Sequence, residues 1–231
     1  MSVLHPLDRP VWNAFTARQA ALARSDGRAL RLEPDYGIFV AAADPSPESL
    51  AALAALVLEG DEAAMVEAEP WPDIPGLAAE RRTLVQMVAE AVTPADPPAF
   101  EIVPLGEAEA AEMLALATLT KPGPFRARTH ELGDFVGVKQ DGRLIAMAGE
   151  RMKPAGFTEV SGVCTLPEHR GRGYAGALMR VVAARILQRG ETPFLHSYAH
   201  NAGAIGLYRS LGFEVRRQMI MTVLTRPGAG A

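Results

Sequence analysis

The feature that most constrains the fold is a short segment rich in glycine and arginine. Arg170-Gly171-Arg172-Gly173-Tyr174-Ala175 lies between a predicted strand, residues 158–166, and a helical pattern that ends near Gly190. A helix N-terminus attracts anions through its free N–H groups and the positive end of its dipole. Glycines let a phosphate approach those groups closely, and the flanking arginines add positive charge. The segment therefore predicts a pyrophosphate site at a strand–turn–helix unit.

The same glycines also fit a different phosphate-binding pattern. Gly171, Gly173 and Gly176 match G-x-G-x-x-G, which in dinucleotide-binding proteins opens a βαβ unit and precedes an acidic residue about 20 positions later. The next predicted strand has no acid at its end, and several strands precede the turn. This context argues against an oxidoreductase that binds NAD. An arginine-rich loop that binds nothing is the other alternative.

The elements predicted around this segment follow the order βαβββαβαβ. Asp141-Gly142 is typical of a hairpin turn between two of the strands. The strands are predicted at 100–105, 134–139, 143–151, 158–166, 192–198 and 213–226, the last with room for one long or two short strands, and the helices at 107–118, 174–190 and 202–211. This order predicts an α/β fold with a mixed, mostly antiparallel central sheet flanked by helices.

A proline-rich segment divides the chain. Residues 93–98 contain three prolines, which cannot continue a helix or a central strand. We predict a smaller N-terminal α/β half at 1–92, a linker at 93–98 and the main domain at 99–231. In the first half we predict helices at 10–24 and 48–58 and short apolar segments at 37–43 and 63–68, while 82–92 fits a helix or a strand.

Composition excludes several classes of protein. The net charge of −4, from 23 basic and 27 acidic residues, is unlike that of a nucleic-acid-binding protein. No apolar run approaches the ~20 residues that span a membrane, and the first twelve residues do not resemble a secretion signal. A single cysteine, Cys164, fits the reducing cytoplasm. His196 and His200 lack further ligands nearby in sequence, so we predict no metal site.

Two motifs, the first at residues 170–175 and the second at residues 201–213, resemble those of the GNAT superfamily of acetyltransferases. Arg170, Gly173 and Ala175 match the family's acetyl-CoA motif, Arg or Gln, two residues, Gly, one residue, then Gly or Ala. About 30 residues later, the segment 201–213 resembles N-x-x-A-x-x-L-Y-x-x-L-G-F. The resemblance covers roughly residues 100–225 and implies the acyl-CoA N-acyltransferase fold. Residues 1–92 are long enough for a degenerate copy of that fold, as in tandem members, although they lack the first motif.

The resemblance implies acetyl-CoA as co-substrate. In the family pattern, the backbone of the central strand pairs with the pantetheine arm, the N–H groups of the glycine turn hold the pyrophosphate, and the asparagine of the second motif lies where the sheet opens. The residues expected at acetyl-CoA are Val163, Cys164, Thr165, Arg170, Gly171, Arg172, Gly173, Tyr174, Ala175, Asn201 and Tyr208.

The chemistry implied is direct attack of a neutral amine on the thioester in a ternary complex. Tyr208 is the candidate general acid for the leaving thiolate, and its alternative role is that of a core tyrosine. Glu159 is the candidate base, with a surface glutamate as the alternative. Glu150 and His196 are further candidates, and some family members need no dedicated base. Cys164 is expected to be a buried small side chain, with an acetyl-cysteine route as a minor alternative.

The acceptor is predicted to be the primary amine of a small metabolite or an amino acid. Arg126 and Arg128, in the loop 120–129, could bind an acceptor carboxylate, and a surface loop without that role is the alternative. We expect the N-terminal half to pack on the main domain and help shape the acceptor pocket. The alternative functions are a peptide or protein N-terminal acetyltransferase and a non-catalytic acyl-CoA-binding protein. No feature of the sequence indicates an oligomeric state.

Overall fold

The computed structural model describes residues 5–228. Residues 1–4 and 229–231 lie outside it, and with them the outer ends of the two predicted halves and part of the segment examined for a secretion signal. The strands are β1 Ala23–Ser25, β2 Ala29–Leu32, β3 Val40–Ala42, β4 Glu62–Glu67, β5 Ala78–Val88, β6 Val103–Leu105, β7 Phe135–Gln140, β8 Arg143–Glu150, β9 Phe157–Thr165, β10 Thr192–Tyr198 and β11 Glu214–Thr225. The α-helices are α1 Pro10–Phe15, α2 Pro47–Leu56, α3 Ala110–Thr120, α4 Tyr174–Gln188 and α5 Ala202–Ser210.

The central sheet has eight strands in the order β4-β11-β5-β10-β9-β8-β7-β6. Every neighbouring pair is antiparallel except β9 and β10, which are parallel. From β6 to β11 the chain follows the predicted order βαβββαβαβ, with β11 as one long strand. The prediction of a mixed, mostly antiparallel sheet flanked by helices is confirmed.

Strands from both sides of the proline-rich segment share this sheet. β5 lies between β10 and β11, and β4 pairs with the other edge of β11. Residues 93–98 contain no helix or strand. Two strands that precede them in the chain nevertheless belong to the same sheet as the strands that follow them. β5 is buried from Leu84 to Met87, and this burial resolves the ambiguity of residues 82–92 in favour of a strand. The suggested origin of residues 1–92 as a degenerate copy stays a prediction.

The helix predicted at 10–24 is wrong beyond Phe15. A short 3-10 turn at residues 20–22 and the strand β1 replace its second half. The cause is a tertiary contact of Gln19, which is buried between the two halves. Its side-chain amide donates to the backbone oxygens of Leu132 and Arg151 and accepts a hydrogen bond from the Lys153 N–H. Such contacts override the helical tendency of an alanine-rich segment.

Two hydrophobic cores cover the two faces of the sheet. α3 and α4 pack on one face, where Met113, Met179 and Ile186 are fully buried. The N-terminal segment packs on the other face, where Val11 and Phe15 of α1 lie in one cluster with Phe194 of β10. A smaller core joins α2 to β3 and β4. Among residues 5–228, every helix is too short or too polar to cross a bilayer.

Substitution of Met87 by alanine tests whether β5 is an integral part of the central sheet. Met87 is fully buried in the core beneath α3 and α4, so truncation leaves a cavity and should lower the free energy of unfolding by about 2–5 kcal/mol. Thr83, exposed on the same strand, provides the control. Thr83→Ala should change the free energy of unfolding by less than about 0.5–1 kcal/mol. Urea unfolding measures both, and equal small effects would contradict the role given to β5.

Candidate active site

A cleft opens where the parallel strands β9 and β10 separate. The two strands pair only through Phe157–Glu159 and Thr192–Phe194. Beyond this point β10 continues along β5, and β9 continues along β8. Residues 159–163 and 195–198 line the gap, together with residues 122–124 and Tyr208. We call this opening the inner cleft.

A β-bulge shapes the β9 side of the inner cleft. The register with β8 shifts between the pairs Met147–Cys164 and Gly149–Ser161. Gly162 lies in this bulge with a φ of +64°, and a Cβ there would come within 2.9 Å of the Phe135 ring. Among residues 5–228, β9 has no strand partner on its β10 side after Glu159, so the backbone of residues 160–164 is free to pair with an extended ligand.

The glycine turn ends in a free helix N-terminus. Gly171 and Gly173 have φ of +75° and +82°, so the turn needs residues that tolerate the left-handed region. Within residues 5–228, the N–H groups of residues 171–176 donate to no backbone oxygen, and the first to do so is that of Ala177, to the Gly173 oxygen at 3.1 Å. Arg170 and Arg172 lie on the exposed turn. The turn therefore offers donors and positive charge to a diphosphate.

Two residues of the second motif, Tyr208 and Asn201, line the inner cleft. Tyr208, on α5, lines the inner cleft, and burial raises the pKa of its hydroxyl above the ordinary value, so the group is protonated at neutral pH. In the described part of the chain its hydroxyl has no hydrogen-bond partner. Asn201 also lines the cleft, and its side-chain oxygen caps α5 by accepting a hydrogen bond from the Ala204 N–H at 3.2 Å.

Glu159 lines the inner cleft, but its carboxylate is already fully engaged. Arg151 donates to both oxygens, at 2.8 and 2.9 Å, and the Nδ1–H of His196 donates to Oε1 at 2.9 Å. Burial by itself would raise the pKa of Glu159, but the charge and hydrogen bonds of Arg151 and His196 outweigh it and lower the pKa to about 2. A carboxylate with these partners is a poor proton acceptor near neutral pH, which opposes the predicted role of Glu159 as base.

His196 belongs to a chain of buried polar contacts that runs back to the N-terminal segment. Its Nε2 lies 3.0 Å from the side-chain nitrogen of Gln86, which also donates to the Leu7 oxygen. Arg216 donates to the Gln86 oxygen at 2.8 Å and to Asp8 at 2.7 Å. The Gln86 amide is thereby oriented so that His196 Nε2 accepts and Nδ1 carries the proton. Both ring nitrogens of His196 are therefore engaged in hydrogen bonds, one with Glu159 and the other with Gln86.

The other predicted nucleophile and base candidates lie outside the inner cleft. Glu150 is buried, and its carboxylate is paired with Arg189 at 2.6 Å and Lys153 at 2.9 Å. Cys164 is also buried, and burial raises the pKa of its thiol to about 11. A thiol protonated at neutral pH is a poor nucleophile. Thr165 pairs with Ala146 of β8, and its backbone oxygen accepts a long hydrogen bond, 3.4 Å, from Arg170 Nε.

The two arginines predicted to bind the acceptor occupy different places. Arg126 is exposed and lines a second opening beside the inner cleft. Arg128 lies outside both openings: its guanidinium donates to both oxygens of Glu131 at 2.6 and 2.7 Å and lies 4.5 Å from the centre of the Tyr36 ring. We call the second opening the outer cleft; it shares Gly123, Pro124, Tyr198 and Met221 with the inner cleft.

Several residues around these clefts were missed by the sequence analysis. Arg151 and Tyr198 line the inner cleft, and Arg82 of β5 lines the outer cleft. A signal did exist for Gln86, because a polar residue stood in the middle of the apolar segment Leu84–Val88. Buried polar groups of this kind need partners. Nothing in the sequence pointed to Arg82, because its position depends on how β5 pairs.

One group of potential metal ligands lies away from the clefts. Glu107, His130 and Glu131 bring ligand atoms within 4.8 Å of one another. His130 Nε2 is already 2.9 Å from Glu107, and Glu131 is paired with Arg128. Both carboxylates are on exposed residues, so their proximity is explained by these contacts alone. The expectation of no metal site stays a prediction.

Comparisons with known proteins agree with this architecture. The family model described as FR47-like protein matches residues 135–221. A crystal structure from Novosphingobium aromaticivorans, assigned to the GNAT family of acetyltransferases, is 49% identical with a TM-score of 0.90, covering 97% of this chain and 100% of that one. A GCN5-related N-acetyltransferase from Kribbella flavida is 21% identical with a TM-score of 0.63 over 95% and 96% of the two chains, a likeness of fold alone. A comparison with curated proteins finds no match.

Replacement of Glu159 by glutamine tests its structural role. The change leaves Arg151, whose side chain is only 12% exposed, without its counter-charge, which should lower the free energy of unfolding at pH 7 by about 3–5 kcal/mol. Because the folded-state pKa of Glu159 is lowered to about 2, the wild-type advantage is complete above the ordinary pKa of 4.5. It should disappear as the pH falls from there through the folded value.

Urea unfolding of wild type and Glu159→Gln, at pH 7 and at points down to pH 2, measures this difference in the free energy of unfolding. The matched control is Glu33→Gln, which breaks the exposed pair of Arg24 and Glu33 and should cost less than about 1 kcal/mol. A Glu159→Gln protein as stable as the control variant at pH 7 would show that the ion pair does not hold the inner cleft together.

Proposed function

The chain belongs to the GNAT family of acetyltransferases, and from this membership we propose that it transfers the acetyl group of acetyl-CoA to a primary amine. We propose as acceptor a small metabolite or an amino acid. The observation that carries the proposal is the opening between β9 and β10. There the unpaired backbone of β9 leads directly into the glycine turn and the free N-terminus of α4. A ligand that combines an extended amide-containing arm with a diphosphate matches this arrangement of donors and acceptors.

Acetyl-CoA would be held by backbone groups more than by side chains. The free edge of β9, including Val163, Cys164 and Thr165, would pair with the pantetheine arm. The N–H groups from Gly171 to Ala175 would bind the diphosphate, and the exposed Arg170 and Arg172 would add charge. Bound there, acetyl-CoA supplies an activated thioester. The buried, protonated thiol of Cys164 supports direct transfer in a ternary complex over an acetyl-cysteine route.

Tyr208 is proposed to donate to the sulfur of the leaving group. Tyr208 lines the inner cleft, and the raised pKa of its hydroxyl keeps that group protonated at neutral pH. A thiol has an ordinary pKa of about 8.5, below that of a tyrosine, about 10. Full proton transfer from Tyr208 to a thiolate would therefore be uphill. The hydroxyl contributes as a hydrogen-bond donor to the charge that develops on sulfur.

The amine is proposed to lose its proton without a dedicated base. Glu159 is bound by Arg151 and His196, and His196 by Glu159 and Gln86, so neither side chain offers a free acceptor. Their role in the proposal is to hold the polar wall of the inner cleft in one arrangement. The reactive form of the acceptor is then its neutral fraction, set by the pKa of the amine itself.

The affinity for acetyl-CoA provides the first test. It is measured in variants of two glycines that flank α4 and have the same backbone conformation. Gly173 precedes the helix and Gly190 follows it; their φ are +82° and +76°, and a Cβ at either position meets no atom within 4 Å. Alanine at either should cost about 1–2 kcal/mol of stability through strain. Gly173→Ala alone should also raise the Kd for acetyl-CoA, by about tenfold, because it turns the N–H groups of the helix N-terminus.

Calorimetric titration with acetyl-CoA, with NAD as control ligand, measures these affinities. We expect acetyl-CoA to bind the wild type and NAD not to bind. Equal loss of affinity in Gly173→Ala and Gly190→Ala would assign the effect to stability and not to the site. Absence of acetyl-CoA binding by the wild type would overturn the proposed function, and binding without thiol release on any amine would favour a non-catalytic acyl-CoA-binding protein.

Replacement of Tyr208 by phenylalanine tests the proposed donor. The variant keeps the ring and removes only the hydroxyl, so kcat should fall by about 10²-fold while the calorimetric Kd for acetyl-CoA stays unchanged. Tyr36→Phe is the matched control, because the Tyr36 hydroxyl contacts Glu131 outside both clefts. Rates are followed by release of the CoA thiol. A Tyr208→Phe enzyme with wild-type kcat would leave Tyr208 as a packing residue.

A further inference from the structure

The outer cleft carries an excess of positive charge. Among the described residues that line it, Arg82, Lys121 and Arg126 are cationic and Glu62 is the single carboxylate. They come from distant parts of the chain: Arg82 from β5, Glu62 from the start of β4, and the other two from the loop after α3. Since the protein as a whole has a net charge of −4, this is a local reversal of sign.

Two of these cations lack an ion-pair partner in the described part of the chain. Lys121 ends α3 in the left-handed region, with a φ of +50°, and Arg126 follows five residues later. Both are exposed, and neither has a carboxylate within 4.0 Å among residues 5–228. Arg128, two residues further along, is bound by Glu131 instead. The loop thus directs one arginine to the cleft and fixes the other outside it.

Arg82 extends the cationic group to the junction of the two clefts. Its Nε and one terminal nitrogen donate to Glu80 at 2.8 and 3.0 Å, and its other terminal nitrogen lies 3.5 Å from the Tyr198 hydroxyl. Tyr198 lines both clefts. Arg82 therefore has a terminal nitrogen beside Tyr198, at the residue that the two clefts share.

This cationic group is separate from the site proposed for the diphosphate. No residue from 166 to 176 lines the outer cleft, and the residues that line it include Ile38 of the N-terminal half and Phe125. A ligand bound here would still lie next to the inner cleft, because the two openings share Gly123 and Tyr198. The position matches the far end of an acceptor whose amine reaches inward.

We infer that the acceptor carries an anionic group, most simply a carboxylate, which binds in the outer cleft to Arg126, Lys121 and Arg82. The inference rests on the proposed acetyl transfer and narrows its substrates to amines that bear a carboxylate at a distance from the reacting nitrogen. Arg126 can form paired hydrogen bonds with a carboxylate, and Lys121 contributes a point charge. Arg82, which is held by Glu80, contributes a further donor from its other terminal nitrogen. Glu62 repels such an anion, but it is the single carboxylate among the described lining residues, whereas Lys121 and Arg126 supply two positive charges without an ion-pair partner in residues 5–228.

Matched acceptors that differ only in this charge test the inference. Unbranched ω-amino acids of increasing length are compared with their carboxamides at constant ionic strength, by kcat/KM from thiol release. The acid should be preferred over the amide by at least about tenfold at the best length. Arg126→Gln and Arg82→Gln should each lower kcat/KM for the acid by about tenfold and leave the amide unchanged. Arg128→Gln, the matched control, should leave both unchanged.

A binding measurement separates this inference from the proposed function. The acids and the amides are titrated calorimetrically into the protein saturated with CoA, which requires no turnover. Tighter binding of the acid, lost in Arg126→Gln and retained in Arg128→Gln, supports the anionic subsite even if no acceptor is acetylated. Equal binding and equal kcat/KM for acid and amide overturn the inference and leave acetyl transfer standing. A preference that survives both Arg126→Gln and Arg82→Gln overturns it as well.

Discussion

The separation of β9 from β10 after three paired residues is the constraint on which the rest of the structure depends. Two adjacent parallel strands part only if each finds other partners, since unpaired backbone in the interior of a protein is costly. β10 finds β5, supplied by the first half of the chain, and β9 finds β8. The gap between them is the inner cleft. The N-terminal half therefore does more than pack on one face of the sheet, because its strand β5 pairs with β10 and so keeps the cleft open.

Buried charge holds the two walls of that gap in register. Arg151, Glu159 and His196 connect the end of β8, the start of β9 and the middle of β10, and Gln86 with Arg216 extends the contacts to β5 and β11. A buried network of this kind contributes little net stability compared with an apolar core, but breaking it is costly because each member depends on its partners. The same contacts occupy the hydrogen-bonding groups of Glu159 and His196, which supports the proposal that the amine loses its proton without a dedicated base. Structural and catalytic demands on one carboxylate are in conflict here, and its surroundings favour the structural one.

The second half of the chain was predictable from sequence because its signals are local. The Asp141-Gly142 turn, the alternation of strands and helices and the glycine turn before α4 each depend on neighbours within a few residues, and the elements from β6 to β11 follow the predicted order. The first half was less predictable. Its helix beginning at Pro10 ends at Phe15 because Gln19 binds Leu132 and Arg151, more than 100 residues away in sequence. Local patterns contain no information on such a contact.

The same distinction applies to the site. By itself the sequence determined the elements that make a diphosphate site possible, because left-handed glycines and a helix N-terminus are properties of a single continuous segment, and it identified Tyr208 and Asn201 through a motif. Only the tertiary structure decided that Glu159 is bound by Arg151, that Arg126 lines a cleft while Arg128 does not, and that Arg82 lies beside Tyr198. These outcomes depend on which strands pair and in which register. Pairing and register are set by the burial of whole strands against one another, and the residues that bury each other are far apart in sequence.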